Sequence, residues 1–383
     1  MPSYPSPIGL LSITTRPESK LTVDTVTGNR RQTRARIEVL LGALAFAASV
    51  PAGKLLLNGL QPLVLSGALY LSAGLFCSVL VGLESLRHPN QTGNRLQGRE
   101  WIWLGAAVVS GGILGPLALF YGLRSTSGYV AGLLLNFEAA FTVTLGALIS
   151  RERVGRRGVG GILLILAGAF LLSGFGSQGA GVSHLLGPIL VVVACACWGL
   201  DNNFTQRVSL RDARQIVAIK GLAGGTISLT LAFLFGQAIR GIGATTLLFV
   251  TLVGSVSYGL SIALFIRGLR ELGVVHTGAL FALAPGLAAM LSWIFLHEPV
   301  HPSAFLVLLG MTGGALLLST DVHEHAHTHE ALEHAHEHEH DEHHQHEHRP
   351  GELEQVPHAH PHRHEALAHS HAHTHDVHHR HPH

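Results

Sequence analysis

From Ile37 to Ser319 the chain alternates apolar runs of about 17–25 residues, the length that crosses a hydrocarbon core, with short polar connections. Ten such runs can be read: Ile37–Leu57, Pro62–Leu83, Trp101–Leu123, Thr126–Ile149, Gly158–Phe175, Leu185–Thr205, Arg214–Gly236, Ala244–Ile266, Val274–Leu296 and Ser303–Ser319. Lipid offers no hydrogen-bond partners, and the runs lack the alternation of strands, so each is expected to be a helix that satisfies its backbone internally. The expectation is an all-α membrane protein of about ten transmembrane helices. Residues 1–36 are polar and rich in Ser, Thr and Arg; their one apolar stretch, Ile8 to Ile13, is shorter than a signal-peptide core, so they read as a disordered cytosolic leader.

The placement of charge orients the helices. With the leader in the cytosol, the inner loops hold Arg87, Arg95, Arg99, Arg151, Arg153, Arg156, Arg157, Arg207, Arg211, Arg214, Arg267 and Arg270. The outer loops hold Arg124 and Arg240, with Lys54 close to the outer end of the first run. Such a bias puts both termini in the cytosol of a multi-pass protein of the cytoplasmic membrane. Composition agrees: 13% of residues are charged and 47% hydrophobic, where a soluble domain carries about 25% charged residues. The three cysteines, Cys77, Cys195 and Cys197, lie inside apolar runs and behave as small hydrophobes rather than disulfide partners. No basic patch suggests a nucleic-acid partner; the bilayer and a small-molecule substrate are the expected partners.

An internal repeat divides the chain into residues 37–175 and 185–319. A shift of 146 places Gly122-Leu123-Arg124 on Gly268-Leu269-Arg270, Gly132 on Gly278, Glu152 on Glu298, Val154 on Val300, Gly168-Ala169 on Gly314-Ala315, and Leu171-Leu172-Ser173 on Leu317-Leu318-Ser319. Because five is odd, the second unit enters the membrane inverted relative to the first. Inverted repeats supply the two related conformations that alternating access needs.

Leu133–Phe141 (LLLNFEAAF) with Ser150–Gly161 (SRERVGRRGVGG), and Gly278–Ala288 (GALFALAPGLA) with Leu296–Val300 (LHEPV), resemble the drug/metabolite transporter superfamily, in particular its ten-helix, two-unit EamA-like branch. The resemblance covers about Ile37 to Ser319. It implies export or uptake of a small metabolite, often with ion coupling, and no enzymatic activity. Two features depart from the family pattern: Ala139 stands where a proline commonly follows the glutamate, and neither the leader nor the tail has a counterpart.

Glu138 falls near the middle of the fourth run, where an ionisable group costs about 2.5–3.5 kcal/mol on insertion scales and so belongs inside the bundle or beside a wet cavity. Helical spacing puts Leu134, Thr142 and Leu145 on its face and directs Asn136 elsewhere. Two readings stand side by side: a proton-, cation- or substrate-linked site, or a carboxyl that locks two helices together. In the sixth run Cys197, Trp198, Asp201 and Thr205 share a face, followed by Asn202 and Asn203. That face is expected to line the cytosolic half of a substrate path, with Trp198 as a stacking wall, or to anchor at the interface. Glu138, Asn136, Thr142, Trp198, Asp201, Asn202 and Lys54 form the candidate path. Lys54 and Lys220 sit near run ends, where their stems are expected to snorkel to the interface.

His297-Glu298-Pro299-Val300-His301 spells H-E-x-x-H, the helical zinc-protease signature, but Pro299 disfavours the continuous helix that the signature requires. Gly111/Gly115, Gly128/Gly132, Gly221/Gly225 and Gly310/Gly314 are pairs that allow close helix packing. Of 29 histidines, only His88, His184, His276, His297 and His301 precede Thr320. The tail, residues 321–383, repeats H-x-H beside Glu and Asp without apolar residues to build a core, and is expected to be disordered and cytosolic. Its imidazoles, including His323, His325, His327, His329, His334, His336, His338 and His340, suit loose binding of Zn, Ni or Co. No cofactor is required by this reading. The reading is therefore a secondary transporter of a small metabolite, possible as an exporter, with a metal-binding tail. Its alternatives are a Zn/Ni/Co transporter and a membrane metal sensor or buffer that does not transport.

Overall fold

The computed structural model describes residues 18–87, 96–150, 154–175, 185–208, 211–237, 242–299 and 302–319, and in the tail 323–329, 332–338, 358–364 and 367–373. All ten apolar runs carry helix. The first unit is built from α1 (Glu18–Ala47), α2 (Ser49–Leu56), α3 (Pro62–Arg87), α4 (Glu100–Ala107), α5 (Gly115–Ser125), α6 (Gly128–Leu134), α7 (Phe137–Ser150) and α8 (Arg156–Phe175). The second is built from α9 (Leu186–Gln206), α10 (Ala213–Leu234), α11 (Ala244–Val253), α12 (Ser261–Phe281), α13 (Ala284–Leu296) and α14 (Ala304–Ser319). Among the described residues, eight helices are long and apolar enough to cross a membrane, and Ala304–Leu318 is a shorter apolar one. The membrane region is all-α.

Helix pairing follows the repeat. The second spans of the two units, α3 and α10, lie against each other, as do the last spans, α8 and α14. α6 of the fourth span packs on α13 of the ninth, and the contacts of α1 with α12 and α13 are mirrored by those of α9 with α5 and α7. The units therefore interlock across a pseudo-two-fold axis rather than sitting side by side. Small residues permit the approach: a Cβ on Gly221 would fall 2.6 Å from Gly74 Cα. Gly310, expected to pack in the same way, instead has open space around it. Large apolar side chains such as Phe170 and Leu306 face outward, as a lipid-facing surface requires.

Both units are interrupted at matching places. In the third span a π-helical segment, Val108–Leu114, joins α4 to α5, and in the eighth Gly254–Leu260 joins α11 to α12. The shift of 146 carries one segment onto the other. In the fourth span the helix breaks at Leu135 and Asn136, and in the ninth at Ala282 and Leu283. α12 extends past the end of the eighth span, yet a Cβ on Gly268 would lie 3.0 Å from Thr277 Cγ2, so the chain reverses between them.

Two expectations of disorder need correction. α1 begins at Glu18, inside the expected leader. Once the membrane helix is nucleated, each further residue adds a bond without a new nucleation cost, and the stretch after Pro17 contains no proline to stop it. In the tail, β1 (His323–His329) pairs with β4 (Leu367–His373), and β2 (Leu332–His338) with β3 (His358–His364), both antiparallel. The H-x-H alternation has the two-residue period of a strand, which explains the ladders, although an isolated two-stranded ribbon is only marginally stable in water. The register sets His325 opposite His371 and His336 opposite His360. His340 lies outside the described residues.

Charged contacts gather at one end of the bundle. Arg211 pairs with Glu100 at 2.9 Å, Arg214 with Asp212 at 3.0 Å and also with Glu84, and Arg267 with Glu38 at 3.0 Å. Arg207 lies over the Trp103 ring at 4.3 Å. These are described arginines of the loops read as cytosolic, and their pairing joins spans of both units.

Candidate functional site

The π-segment of the third span organises the site. There the N–H of Gly115 reaches back to Ser110 O, one residue beyond the α-helical partner, which releases the carbonyl of Gly111. Tyr70 OH donates to that carbonyl at 2.9 Å and Trp198 Nε1 at 3.2 Å. A peptide group turned out of its helix in a low-dielectric interior requires such partners. Trp198, expected as a stacking wall, is thus buried and packed on the third span. At the second π-segment the N–H of Ser261 likewise reaches Val256 O.

One turn along α9 from Trp198, Asp201 is buried and accepts hydrogen bonds from Lys220 Nζ at 2.6 and 2.7 Å. Thr205 Oγ1 donates to Asp201 at 2.9 Å, and Lys220 also donates to Thr205 at 3.3 Å. Lys220 therefore does not snorkel away from the bundle; its ammonium is held between α9 and α10. The pair closes over Gly111, where any Cβ would collide with the Asp201 carboxylate, so this position demands glycine.

Asn202, the next residue, turns to α7. Its Nδ2 donates to Glu138 Oε1 at 3.1 Å and to Thr142 Oγ1 at 3.1 Å, while Thr142 Oγ1 donates to Glu138 O at 2.8 Å. Asn203 fastens the same helices by donating to Thr142 O at 3.0 Å and Gly199 O at 2.8 Å. Asn202 is exposed and Glu138 half-buried, so both border open space, whereas Asp201 and Asn203 are buried. Among the described residues Glu138 has a neutral amide partner and no ion pair; Asp201 and Lys220 act on it through space. The local charge is one carboxylate beside one neutralised pair.

The remaining candidates separate. Asn136 sits in the break between α6 and α7, 1% exposed, with Nδ2 donating to Leu133 O at 2.8 Å and Oδ1 buried without a partner. Lys54 is at the far end of the bundle, where Nζ donates to the carbonyls of Leu123 and, at 2.7 Å, Thr126. It closes the end of α5, and its stem does not simply snorkel. Glu138, Thr142, Asp201 and Asn202 are therefore brought together, with Trp198 behind them, while Asn136 and Lys54 lie apart. Sequence reasoning did not single out Tyr70, read Gly111 only as half of a close-packing glycine pair, and set Lys220 aside. A lysine placed about two turns inside an apolar run was the available signal for the last.

An aromatic chain flanks the cluster. Tyr70 and Tyr258 approach at 5.5 Å between ring centroids, Phe46 and Tyr258 at 6.2 Å, and Phe46 and Phe281 at 5.7 Å. It links α1 and α3 of the first unit to the second unit's π-segment and α12. The H-E-x-x-H string has a different outcome: His297 ends α13 in the left-handed region with φ 51°, and Glu298 is engaged with the backbone of the fourth span. Val300, His301, Glu152 and Asn90-Gln91-Thr92 lie outside the described residues.

Two interlocked five-span units with paired interruptions define an inverted-repeat membrane transporter. The chain matches the EamA-like transporter family over residues 35–174 and again over 185–320, and it belongs to that family. It is 26% identical over 291 residues to an uncharacterized transporter of Methanothermobacter thermautotrophicus, covering 73% of this chain and 83% of the relative. With the uncharacterized transporter YdeK of Bacillus subtilis it shares 26% identity over 273 residues, 70% of this chain and 91% of that one. A solved crystal structure, covering 77% of this chain and 97% of its own at 18% identity, has the same fold with a TM-score of 0.53. The protein is a membrane transporter and not an enzyme.

Proposed function

We propose that the chain moves a small metabolite across the cytoplasmic membrane by alternating access, through a path between the two units, and that Glu138 carries the coupled proton or cation. The observation behind this reading is the position of Glu138. It follows directly on the break in the fourth span, borders open space with Asn202, and has no ion-pair partner among the described residues. A carboxylate facing lipid is costly, so the open space is best understood as the wet path. Paired interruptions near mid-membrane are the usual sign of a binding region in inverted-repeat transporters. Metabolite and metal profiling of cells with and without the protein tests the reading. The expected result is a change in one small organic solute at constant metal content; a change confined to Zn, Ni or Co would reassign the substrate to metal.

We further propose that both termini are cytosolic and that the tail binds Zn, Ni or Co loosely, as a buffer separate from the path. The arginine bias and the density of H-x-H support this. A peptide of residues 321–383 is expected to bind several ions, and to lose them as pH falls through about 6.5, where free imidazole takes up a proton. A chain ended at Ser319 and fused to a reporter is expected to report a cytosolic C-terminus and retain transport. Periplasmic reporter activity would refute the orientation, and loss of transport in a correctly inserted protein would refute the separation.

A further inference from the structure

Glu298 belongs to the second unit, yet its carboxylate is bound to the first. Oε1 accepts the N–H of Gly128 at 2.7 Å and Oε2 accepts the N–H of Tyr129 at 2.9 Å. These amides open the fourth span and have no helical partner of their own; Ser127, which precedes them, makes no capping bond. The left-handed turn at His297 brings the carboxylate there. Lys54, from the end of the first span, binds the carbonyls that close the third span and acts on Glu298 through space. The turn between the third and fourth spans is therefore gripped from both sides, its free carbonyls by a cation and its free amides by an anion.

Beneath this grip the fourth and ninth spans are closed on each other. A Cβ on Gly128 would meet Ser292 Oγ at 2.9 Å, and one on Gly132 would lie 2.5 Å from Ala289 N. Ser292 is fully buried. Further along the same span come the break at Leu135 and Asn136, and then Glu138. Access to the path from this end requires α6 and α13 to part, and they cannot part while Glu298 holds Gly128 and Tyr129.

We propose that Glu298, positioned with Lys54, is the gate residue at this end of the transporter: its two backbone hydrogen bonds hold the path closed and are broken once in each transport cycle. The inference rests on the chain being a transporter and does not depend on the role of Glu138.

The test reads the gate directly. In full-length protein with its three native cysteines replaced, Ser292→Cys reports the space behind the gate, and Thr277→Cys, also fully buried but at the opposite end, reports general loosening. Maleimide labelling of each is timed in purified protein that elutes as a folded species. Glu298→Gln keeps the shape but replaces one acceptor oxygen with a donor that two amide N–H groups cannot use. It is expected to speed labelling of Ser292→Cys several-fold and leave Thr277→Cys unchanged. Glu298→Asp, which retains the charge on a shorter stem, is expected to fall between. A Ser292→Cys rate unmoved by Glu298→Gln overturns the proposal, as does an equal rise at both cysteines. A solute exchange assay supplies a readout that mere packing would not give: gate loss raises KM more than it lowers kcat, and a fall in kcat at unchanged KM counts against the gate. Should Glu138→Gln leave transport intact while Glu298→Gln still frees Ser292→Cys, the coupling residue is misassigned and the gate stands.

Discussion

Glu138→Gln is expected to reach the membrane at wild-type levels and to lose coupled transport by at least about tenfold, the effect of roughly 1.4 kcal/mol. The substitution keeps the size of the side chain and an oxygen that accepts from Asn202 Nδ2, so the bond from α9 to α7 survives. Thr142 contacts the backbone carbonyl of residue 138, which the substitution does not touch. Asn203 ties the same helices through Thr142 O and Gly199 O. What is lost is the capacity to exchange a proton or bind a cation. Solute-driven exchange at equal pH on both sides is expected to persist, because it needs no net proton movement, while accumulation against a gradient disappears. Together these two assays separate the readings left open by the sequence. If Glu138 merely locks two helices, the glutamine variant is expected to transport normally or to misfold, and either outcome rejects the coupling role.

Fold and site differ in how plainly the sequence displays them. The spans were legible because lipid imposes a length and a continuous apolar character on a helix, and the arginines mark one set of loops. The repeat was legible through a few matched glycines, an arginine and a glutamate. The structure adds that the two units interlock, so that the major packing contacts of the membrane region join one unit to the other. No local pattern announces this, because a lipid-facing leucine and a helix-facing leucine are the same residue. The interruptions show the same limit. Leu135 and Asn136 stand in an apolar stretch without Pro or Gly at the break, and the π-segment at Val108–Leu114 shows itself through the bond of Gly115 N–H to Ser110 O and the remote partners of Gly111 O.

Individual site residues follow a similar division. Glu138 was singled out because an ionisable residue deep in an apolar run is expensive and must face inward, and Thr142 and Asp201 because helical spacing sets them on the faces of Glu138 and Trp198. Helical spacing correctly placed Thr205 beneath Asp201. The snorkelling expectation did not hold for Lys54 and Lys220, because it assumes that the nearest partner for an ammonium is water. Lys220 instead meets a carboxylate from the neighbouring helix, and Lys54 meets two backbone carbonyls at a helix end. In both cases the deciding partner is remote in sequence. The same applies to Glu298, whose setting suggested a zinc motif and whose bonds run to Gly128 and Tyr129.

Asp201 and Lys220 furnish the largest expected effect on stability. Both are mostly buried, and each satisfies the other through two short hydrogen bonds, with Thr205 completing the set. Removing one member strands the other charge in a low-dielectric interior, which typically costs about 3–5 kcal/mol, comparable with much of a domain's total stability. Lys220→Met and Asp201→Asn are each expected to give poorly folded protein with a much lower thermal midpoint in detergent. Replacing both is expected to restore most of the loss, because a buried pair exchanged for neutral groups is often nearly neutral in stability. The double variant is the informative one. It removes the neutralised pair that acts on Glu138 while leaving Asn202, Thr142 and the α7–α9 contact in place. Recovered folding with altered pH dependence of transport would assign the pair to setting the charge balance of the path; recovered folding with unaltered transport would make it structural. A double variant as unstable as the single ones would instead show that Gly111, Thr205 and neighbouring groups require the charges themselves, a non-additivity that the double-mutant cycle measures.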